Sequence, residues 1–167
     1  MIDQIISNHS LFIDEEYESF INNFCSTTGQ NFPQGKMGNY LGSWYEGYLY
    51  CLMIGLNSNC RHQDGFIRKH TKMSSWSTQN IDQYKYCISR VISRKDIILE
   101  LKIKSREDIK TGFNNIEELL SSLKIICDQF SLGGLLYIKK LYENDSAIFE
   151  DPFALKNIYE KSLEVTI

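Results

Sequence analysis

The sequence predicts an all-α protein, an irregular bundle of six to eight helices with a long central polar and basic connection. Apolar residues recur at spacings of three and four in several segments, and the chain contains only two prolines. The single stretch with strand-like alternation has no second strand to pair with. A length of 167 residues with 43% hydrophobic residues fits one helical domain over residues 1–167.

The first predicted helix covers residues 13–25, with acidic residues in its first turn, where they suit the helix dipole. A polar loop containing Gly29 and Pro33 follows. Residues 37–56 are apolar on nearly every face, which predicts a central helix surrounded by others. Glycines in that segment cost helix stability relative to alanine, so we expect another helix to pack closely against them.

The middle of the chain combines a long connection with two further elements. Residues 57–77 lack periodicity and are polar, whereas residues 78–94 form an amphipathic helical pattern. From Leu99 to Lys104 apolar and polar residues alternate as in a strand, yet Ile97, Ile98 and Leu101 also form a helical stripe. We favour a helix because a lone strand has no partner, and the strand is the alternative.

The last third of the sequence predicts three helices. Residues 105–108 resemble the start of a capping box, and residues 116–130 carry the clearest amphipathic pattern. Ser131 is predicted to cap a separate helix, and Asp151 followed by a proline is predicted to begin a terminal helix that ends near Leu163.

Composition argues against several classes of protein. The first four residues show no secretory signal, and the longest apolar run, residues 48–56, is too short for a bilayer span. We therefore expect a soluble cytoplasmic chain. Its five cysteines are odd in number and never form a C-x-x-C pair, which favours reduced, buried thiols over disulfides or a two-knuckle zinc site.

The net charge of −3 is unevenly distributed: residues 1–60 sum to −5, residues 61–95 to +6 and residues 96–167 to −4. Aromatic residues are interleaved with the cations of the basic segment, as in proteins that bind single-stranded nucleic acid. The alternative is that these cations pair with acids of the flanking segments. The residues predicted to bind nucleic acid or another anion are Arg61, His62, Arg68, Lys69, His70, Lys72, Trp76 and Lys85.

Other residues have side chains that could carry out chemistry. Cys60, His62 and His70, with Asp64 nearby, offer donors that zinc accepts, but their spacing matches no zinc pattern, so no metal is predicted. A desolvated Glu46 could act as a general acid, although such a residue more often pairs with a cation. Cys60 and His62 as nucleophile and base are supported only by proximity in sequence.

Two glycine pairs have spacings that are found at packing or binding sites. Gly38 and Gly42 have the spacing of a helix-packing motif, which we assign to close packing rather than to a membrane span. Gly133 and Gly134 are predicted to lie in the first turn after Ser131, where exposed amides could bind an anion. Without a preceding strand they form no nucleotide fingerprint.

The leading functional hypothesis is a non-enzymatic helical binding or accessory module without a cofactor. Its basic segment, residues 61–95, would contact nucleic acid or an acidic protein surface. One alternative is a small enzyme with a groove beside Glu46 and the loop formed by residues 60–70. The other is a structural subunit of a homo-oligomer or larger complex, suggested by an aromatic share of 13%.

Overall fold

The computed structural model describes residues 3, 15–22, 24–25, 41, 43–63, 78–103 and 116–165. These residues are mostly helical and contain no β-strand, which confirms the all-α prediction. An isolated parallel bridge joins Cys25 and Leu41. The described elements are α1 (Glu15–Ile21), α2 (Trp44–Asn57), α3 (Thr78–Ile92), α4 (Lys95–Glu100), α5 (Ile116–Asn144), a 3-10 helix (Ser146–Glu150) and α6 (Ala154–Glu164).

The core lies where α5 packs along α2, which is the most extensive contact between described elements. Helix α3 contacts both of these helices, α6 contacts α2, and the 3-10 helix contacts α5 and α6. The residues 37–56 were expected to contain the central helix, and α2 fills that role. Its side chains and those of α5 supply many of the fully buried residues, including Leu52, Ile54, Phe130, Leu135 and Ile138.

The two central helices approach each other at glycines. A Cβ at Gly55 of α2 would overlap the carbonyl oxygen of Phe130, and one at Gly134 of α5 would overlap that of Cys51. The close packing expected from the glycines of the central helix is therefore confirmed at Gly55. Gly133 fits equally tightly against the carbonyl of Cys60.

Helix α5 continues without a break through the position where the sequence predicted two separate helices. Ser131 was expected to be an N-cap, and this is wrong: it is fully buried within α5, and its hydroxyl donates to the carbonyl of Tyr48 at 3.1 Å. The expectation that Gly133 and Gly134 lie in the first turn of a helix is also wrong, because both lie inside α5 against another backbone.

Helix α2 begins later than predicted. Leu41, expected to be helical, takes part in the bridge with Cys25, and Ser43 is extended with φ −158° and ψ 164°. The Ser43 hydroxyl accepts a hydrogen bond from the Glu46 amide at 3.2 Å, which starts the helix at Trp44. Ser43 and Glu46 have the spacing of a capping box. Gly38 and Gly42 lie outside the described residues.

Of two short helices, one ends earlier than predicted and the other confirms a prediction. Helix α1 ends at Ile21 rather than at residue 25, since the amides of Phe24 and Cys25 both donate to the Ile21 carbonyl. The helix favoured over a strand near residue 97 is confirmed as α4. Ile97 is fully buried while Leu99 is 77% exposed, whereas the strand pattern would have placed Leu99 on one face with Leu101.

The terminal helix α6 starts two residues after the predicted proline. Asp151 makes a turn first: its Oδ1 accepts from the Phe153 amide at 2.7 Å, and its carbonyl accepts from the Ala154 amide at 2.9 Å. The helix ends at Glu164, next to the predicted end. The capping box predicted at residues 105–108 lies outside the described residues, as does most of the connection at 57–77.

Helix α5 is long and apolar enough to cross a membrane by length and composition alone. Of its most apolar window, 61% is buried inside the structure. A core helix passes the same test, so this property is weak evidence for a membrane span. Its packing against α2 accounts for the apolar surface.

Candidate functional site

The basic segment, residues 61–95, begins directly after α2. The Cys60 amide donates to the Gly55 carbonyl at 2.9 Å, which ends the helix. The His62 amide then donates to the Gln129 carbonyl at 3.0 Å, and the Gln129 side chain donates to the Gln63 carbonyl. These bonds fix the start of the segment on α5.

Arg61 is held by contacts with three residues. Its Nη2 donates to Glu100 Oε1 at 2.9 Å, its Nε donates to Gln129 Oε1 at 2.8 Å, and its Cζ lies 5.8 Å from the centre of the Phe130 ring. The hydrogen bond with Glu100 raises the pKa of Arg61, and the guanidinium lowers the pKa of Glu100. The donors of Arg61 are therefore occupied within the protein.

Arg94 also lies against the Phe130 ring, with its Cζ 5.0 Å from the ring centre. Its Nε donates to Asp96 Oδ1 at 3.1 Å, and its Nη2 donates to the Asn59 side chain. Both distances to the ring are within the range of cation–π attraction. Because Arg61 and Arg94 each have a neighbouring carboxylate, this cluster carries little net charge.

The described cations of α3 are also engaged. Lys85 pairs with Asp82 at 3.2 Å and with Asp3, and the hydrogen bond that Lys85 donates to Asp3 raises the pKa of Lys85. Arg90 donates to Asn57 Oδ1 at 3.1 Å. The interpretation in which cations pair with nearby acids therefore describes Arg61, Lys85 and Arg94. The other predicted cations and aromatics lie outside the described residues: Arg68, Lys69, His70, Lys72 and Trp76.

His62 is half-buried, and its Nδ1 is buried without a hydrogen-bond partner among the described residues. The zinc donors considered with it, Asp64 and His70, lie outside those residues. In the part of the chain that the structure describes, no three His, Cys, Asp or Glu side chains are grouped to hold a metal ion.

All five cysteines are free, and all except the half-buried Cys60 are buried, as the sequence predicted. Burial raises the pKa of the Cys87 thiol to about 11 and raises those of Cys25, Cys51 and Cys127 as well. A nucleophilic thiol needs a lowered pKa and access to solvent. These four thiols are therefore packing residues.

A groove of about 710 Å³ lies between α2, α3 and α6, and we call it the three-helix groove. The α2 residues Glu46, Leu49, Tyr50 and Met53 follow one face of that helix. The other described residues of the lining are Leu41, Asp82, Gln83, Tyr86, Cys87 and Tyr159.

Glu46 lies in the first turn of α2 and is half-buried. The lining of the three-helix groove includes Glu46 but neither Cys60 nor His62. The groove therefore does not join Glu46 to Cys60 or His62.

Sequence reasoning missed a polar network between α2 and α5. Tyr48 donates to Asp128 Oδ1 at 2.7 Å, and Lys124 donates to Asp128 Oδ2 at 2.6 Å. Burial raises the pKa of Tyr48 well above its ordinary value. The spacing of Lys124 and Asp128 predicts an ion pair along a helix, whereas Tyr48 is too distant in sequence for its contact to be predicted. None of the three lines the three-helix groove, so we assign the network to stability.

No family model, no curated protein and no solved structure matches this chain.

Proposed function

We propose that the chain is a non-enzymatic helical binding module of the cytoplasm whose basic segment, residues 61–95, contacts nucleic acid. An acidic protein surface is the alternative anionic partner. We further propose that the whole chain folds as an irregular bundle of six to eight helices around α2 and α5. The observation that carries the functional proposal is the charge contrast between this segment, at +6, and the acidic remainder.

The contacts of the described residues narrow the proposed contact region. Arg61, Lys85 and Arg94 are already paired with carboxylates, so a phosphate would have to displace those partners. Residues 64–77 contain three cations, Arg68, Lys69 and Lys72, against one acid, Asp64. We therefore assign phosphate contacts to these three cations and a positioning role to Arg61.

Aromatic residues make nucleic acid the favoured anion. Phe66 and Trp76 lie in the same stretch as the three cations, and every base offers a face on which such rings can stack. An acidic protein surface would use the cations but gains less from the rings. The acidic remainder of the chain would repel a polyanion and confine it to this stretch.

The test is fluorescence anisotropy with a labelled single-stranded oligonucleotide, a duplex of equal length, and heparin. The variant R68E/K69E/K72E removes the proposed contacts. The control variant K140E/K156E/K161E makes the same change in charge at three exposed lysines of α5 and α6.

We expect R68E/K69E/K72E to weaken oligonucleotide binding by about tenfold or more, whereas the control K140E/K156E/K161E should bind as the parent does. Equal loss in both variants would mean that only net charge matters and would reject the assigned contacts. If the parent protein bound neither oligonucleotide, the nucleic-acid proposal would be rejected. An acidic protein would then be the remaining candidate partner.

A further inference from the structure

The fold brings the two ends of the basic segment together. Arg61 lies at the start of the segment and Arg94 lies next to its end. The guanidinium of each lies against the ring of Phe130, with Cζ at 5.8 Å and 5.0 Å from the ring centre. Phe130 is fully buried in α5, so one fixed ring holds two cations that are distant in sequence.

Both guanidiniums are paired with carboxylates of the same short helix, α4. Arg61 donates through Nη1 and Nη2 to the two carboxylate oxygens of Glu100. Arg94 donates through Nε and Nη2 to the two oxygens of Asp96, at 3.1 Å and 3.2 Å. Arginine binds phosphate with the same two-pronged geometry. The two carboxylates therefore occupy donors that a phosphate would use.

The helix places the two acids together at the surface. Asp96 and Glu100 are four residues apart, which puts both on one face of α4, while the fully buried Ile97 anchors the helix to the core. The side chains of Asp96 and Glu100 are 55% and 45% exposed. Solvent screens ion pairs in such positions, so a ligand with several negative charges can compete with them.

Uncharged contacts would hold both guanidiniums in place if the carboxylates were absent. Gln129 Oε1 accepts a hydrogen bond from Nε of Arg61 at 2.8 Å. The side-chain oxygen of Asn59 accepts one from Nη2 of Arg94. The Phe130 ring contacts both cations. Removal of the acids would therefore leave two cations in fixed positions, which favours the binding of an anion.

We propose that α4 is an autoinhibitory element, in which the carboxylates of Asp96 and Glu100 mask the two arginines and lower the affinity of the basic segment for polyanions. A phosphate must displace a carboxylate before it can contact either guanidinium. This inference rests on the proposed function, because it describes how the same segment is regulated. It concerns other residues, since the three cations of residues 64–77 would contact phosphate with the mask in place.

The variant D96A/E100A removes the mask and leaves both arginines. Alanine is used because an amide could still accept one hydrogen bond from a guanidinium. The matched control is E143A/E150A, which removes two exposed acids elsewhere in the fold. Circular dichroism checks that each variant folds.

A third variant, D96A/E100A/R61Q/R94Q, removes the arginines together with their mask. It loses two acids and two cations, so its net charge equals that of the parent. Two probes are used. Inorganic tripolyphosphate is titrated by calorimetry, and the labelled single-stranded oligonucleotide is titrated by fluorescence anisotropy.

We expect D96A/E100A to bind both probes about tenfold more tightly than the parent does. The control E143A/E150A should stay within about twofold of the parent, because salt screens distant charges. Two further phosphate contacts should steepen the salt slope for the oligonucleotide by about 1.4. The four-residue variant should bind no more tightly than the parent.

Unchanged affinity of D96A/E100A for tripolyphosphate would overturn the mask, as would an equal gain in E143A/E150A or a gain that persists in the four-residue variant. The two proposals can fail separately. If the parent does not bind the oligonucleotide but D96A/E100A gains affinity for tripolyphosphate, the nucleic-acid function is rejected and the mask is supported. If the parent binds the oligonucleotide and D96A/E100A gains affinity for neither probe, the mask is rejected and the function is supported.

Discussion

Gly134 of α5 lies so close to the carbonyl oxygen of Cys51 in α2 that no Cβ fits between them. Gly55 meets the Phe130 carbonyl in the same way from the opposite helix. Each glycine costs an isolated helix about 1 kcal/mol relative to alanine. The close approach of the two backbones offsets this cost and lets α5 continue through residues that would weaken it in isolation.

Gly134→Ala should therefore destabilise the protein, although alanine is the better helix former. Local propensity alone predicts a gain of about 1 kcal/mol. Overlap with the Cys51 carbonyl should instead produce a net loss of about 1–3 kcal/mol, because backbone atoms cannot move aside as a flexible side chain can. Urea denaturation of the parent and the variant measures the difference.

Ser121→Ala is the matched control, because Ser121 is exposed on the same helix. It should be neutral or stabilise the protein by up to about 0.5 kcal/mol. A stabilising effect of Gly134→Ala comparable with that of the control would contradict the packing of α5 on α2.

Tyr48→Phe should cost about 1–2 kcal/mol of unfolding free energy. The change removes the donor to Asp128 and leaves that carboxylate with Lys124 in a partly buried position. Tyr86→Phe removes a hydroxyl from an exposed tyrosine and should change stability little. Thermal or urea unfolding checks both, and equal stability of parent and Tyr48→Phe would show that the buried bond contributes nothing.

Stability should fall at alkaline pH. Burial raises the pKa of Cys87 from about 9 to about 11 and also raises the pKa values of Tyr48 and Tyr84. A group whose pKa is raised in the folded state loses its proton first in the unfolded chain, so unfolding releases protons above about pH 9. The stability that these buried, protonated groups contribute is complete below about pH 9 and is lost as the pH rises through 11.

Urea denaturation under reducing conditions at pH 7, 9 and 10 measures this loss. Each such group contributes up to about 1.4 kcal/mol per pH unit. Cys87→Ala should be less stable at pH 7 because it leaves a cavity. The stability of Cys87→Ala should nevertheless fall less steeply with pH than that of the parent, because unfolding of the variant releases one proton fewer. A free energy of unfolding that stayed constant or rose between pH 9 and 10 would contradict the buried positions of these groups.

The Arg61 to Glu100 pair should be weakly coupled. Glu100 is 45% exposed, and solvent screens a pair in that position. A double-mutant cycle with Arg61→Ala and Glu100→Ala should give a coupling energy of about 0.5–1 kcal/mol. Arg61→Ala alone should cost more than Glu100→Ala, because it also removes the contact with Phe130. Equal single-mutant costs would argue against that contact.

The elements that the sequence predicted well are those whose pattern is set by one apolar face. Helix α3 follows such a face, and so does α4, where the burial of Ile97 decided between helix and strand. Prediction failed where a distant contact overrides local preference. Ser131, Gly133 and Gly134 suggested a break in the helix. Ser131 and Gly134 instead contact the backbone of α2, and Gly133 contacts the carbonyl of Cys60; local periodicity contains none of these contacts.

The start of α2 was mispredicted for a different reason, because the sequence does contain a helix-start signal. Ser43 and Glu46 have capping-box spacing, but the apolar residues before them suggested a longer helix. The candidate sites were less predictable. The sequence located the cations, but the pairing of Arg61 with Glu100, 39 residues away, depends on the fold. The three-helix groove also needs residues of three separate helices.

The most direct test of the proposed function is the salt dependence of single-stranded oligonucleotide binding. Each phosphate contact contributes about −0.7 to the slope of log affinity against log salt concentration for single strands. Three contacts by Arg68, Lys69 and Lys72 therefore predict a slope of about −2 for the parent and for K140E/K156E/K161E, and a slope near zero for R68E/K69E/K72E. A parent slope near zero, or a slope of about −2 that survives the triple reversal, would contradict the proposed phosphate contacts.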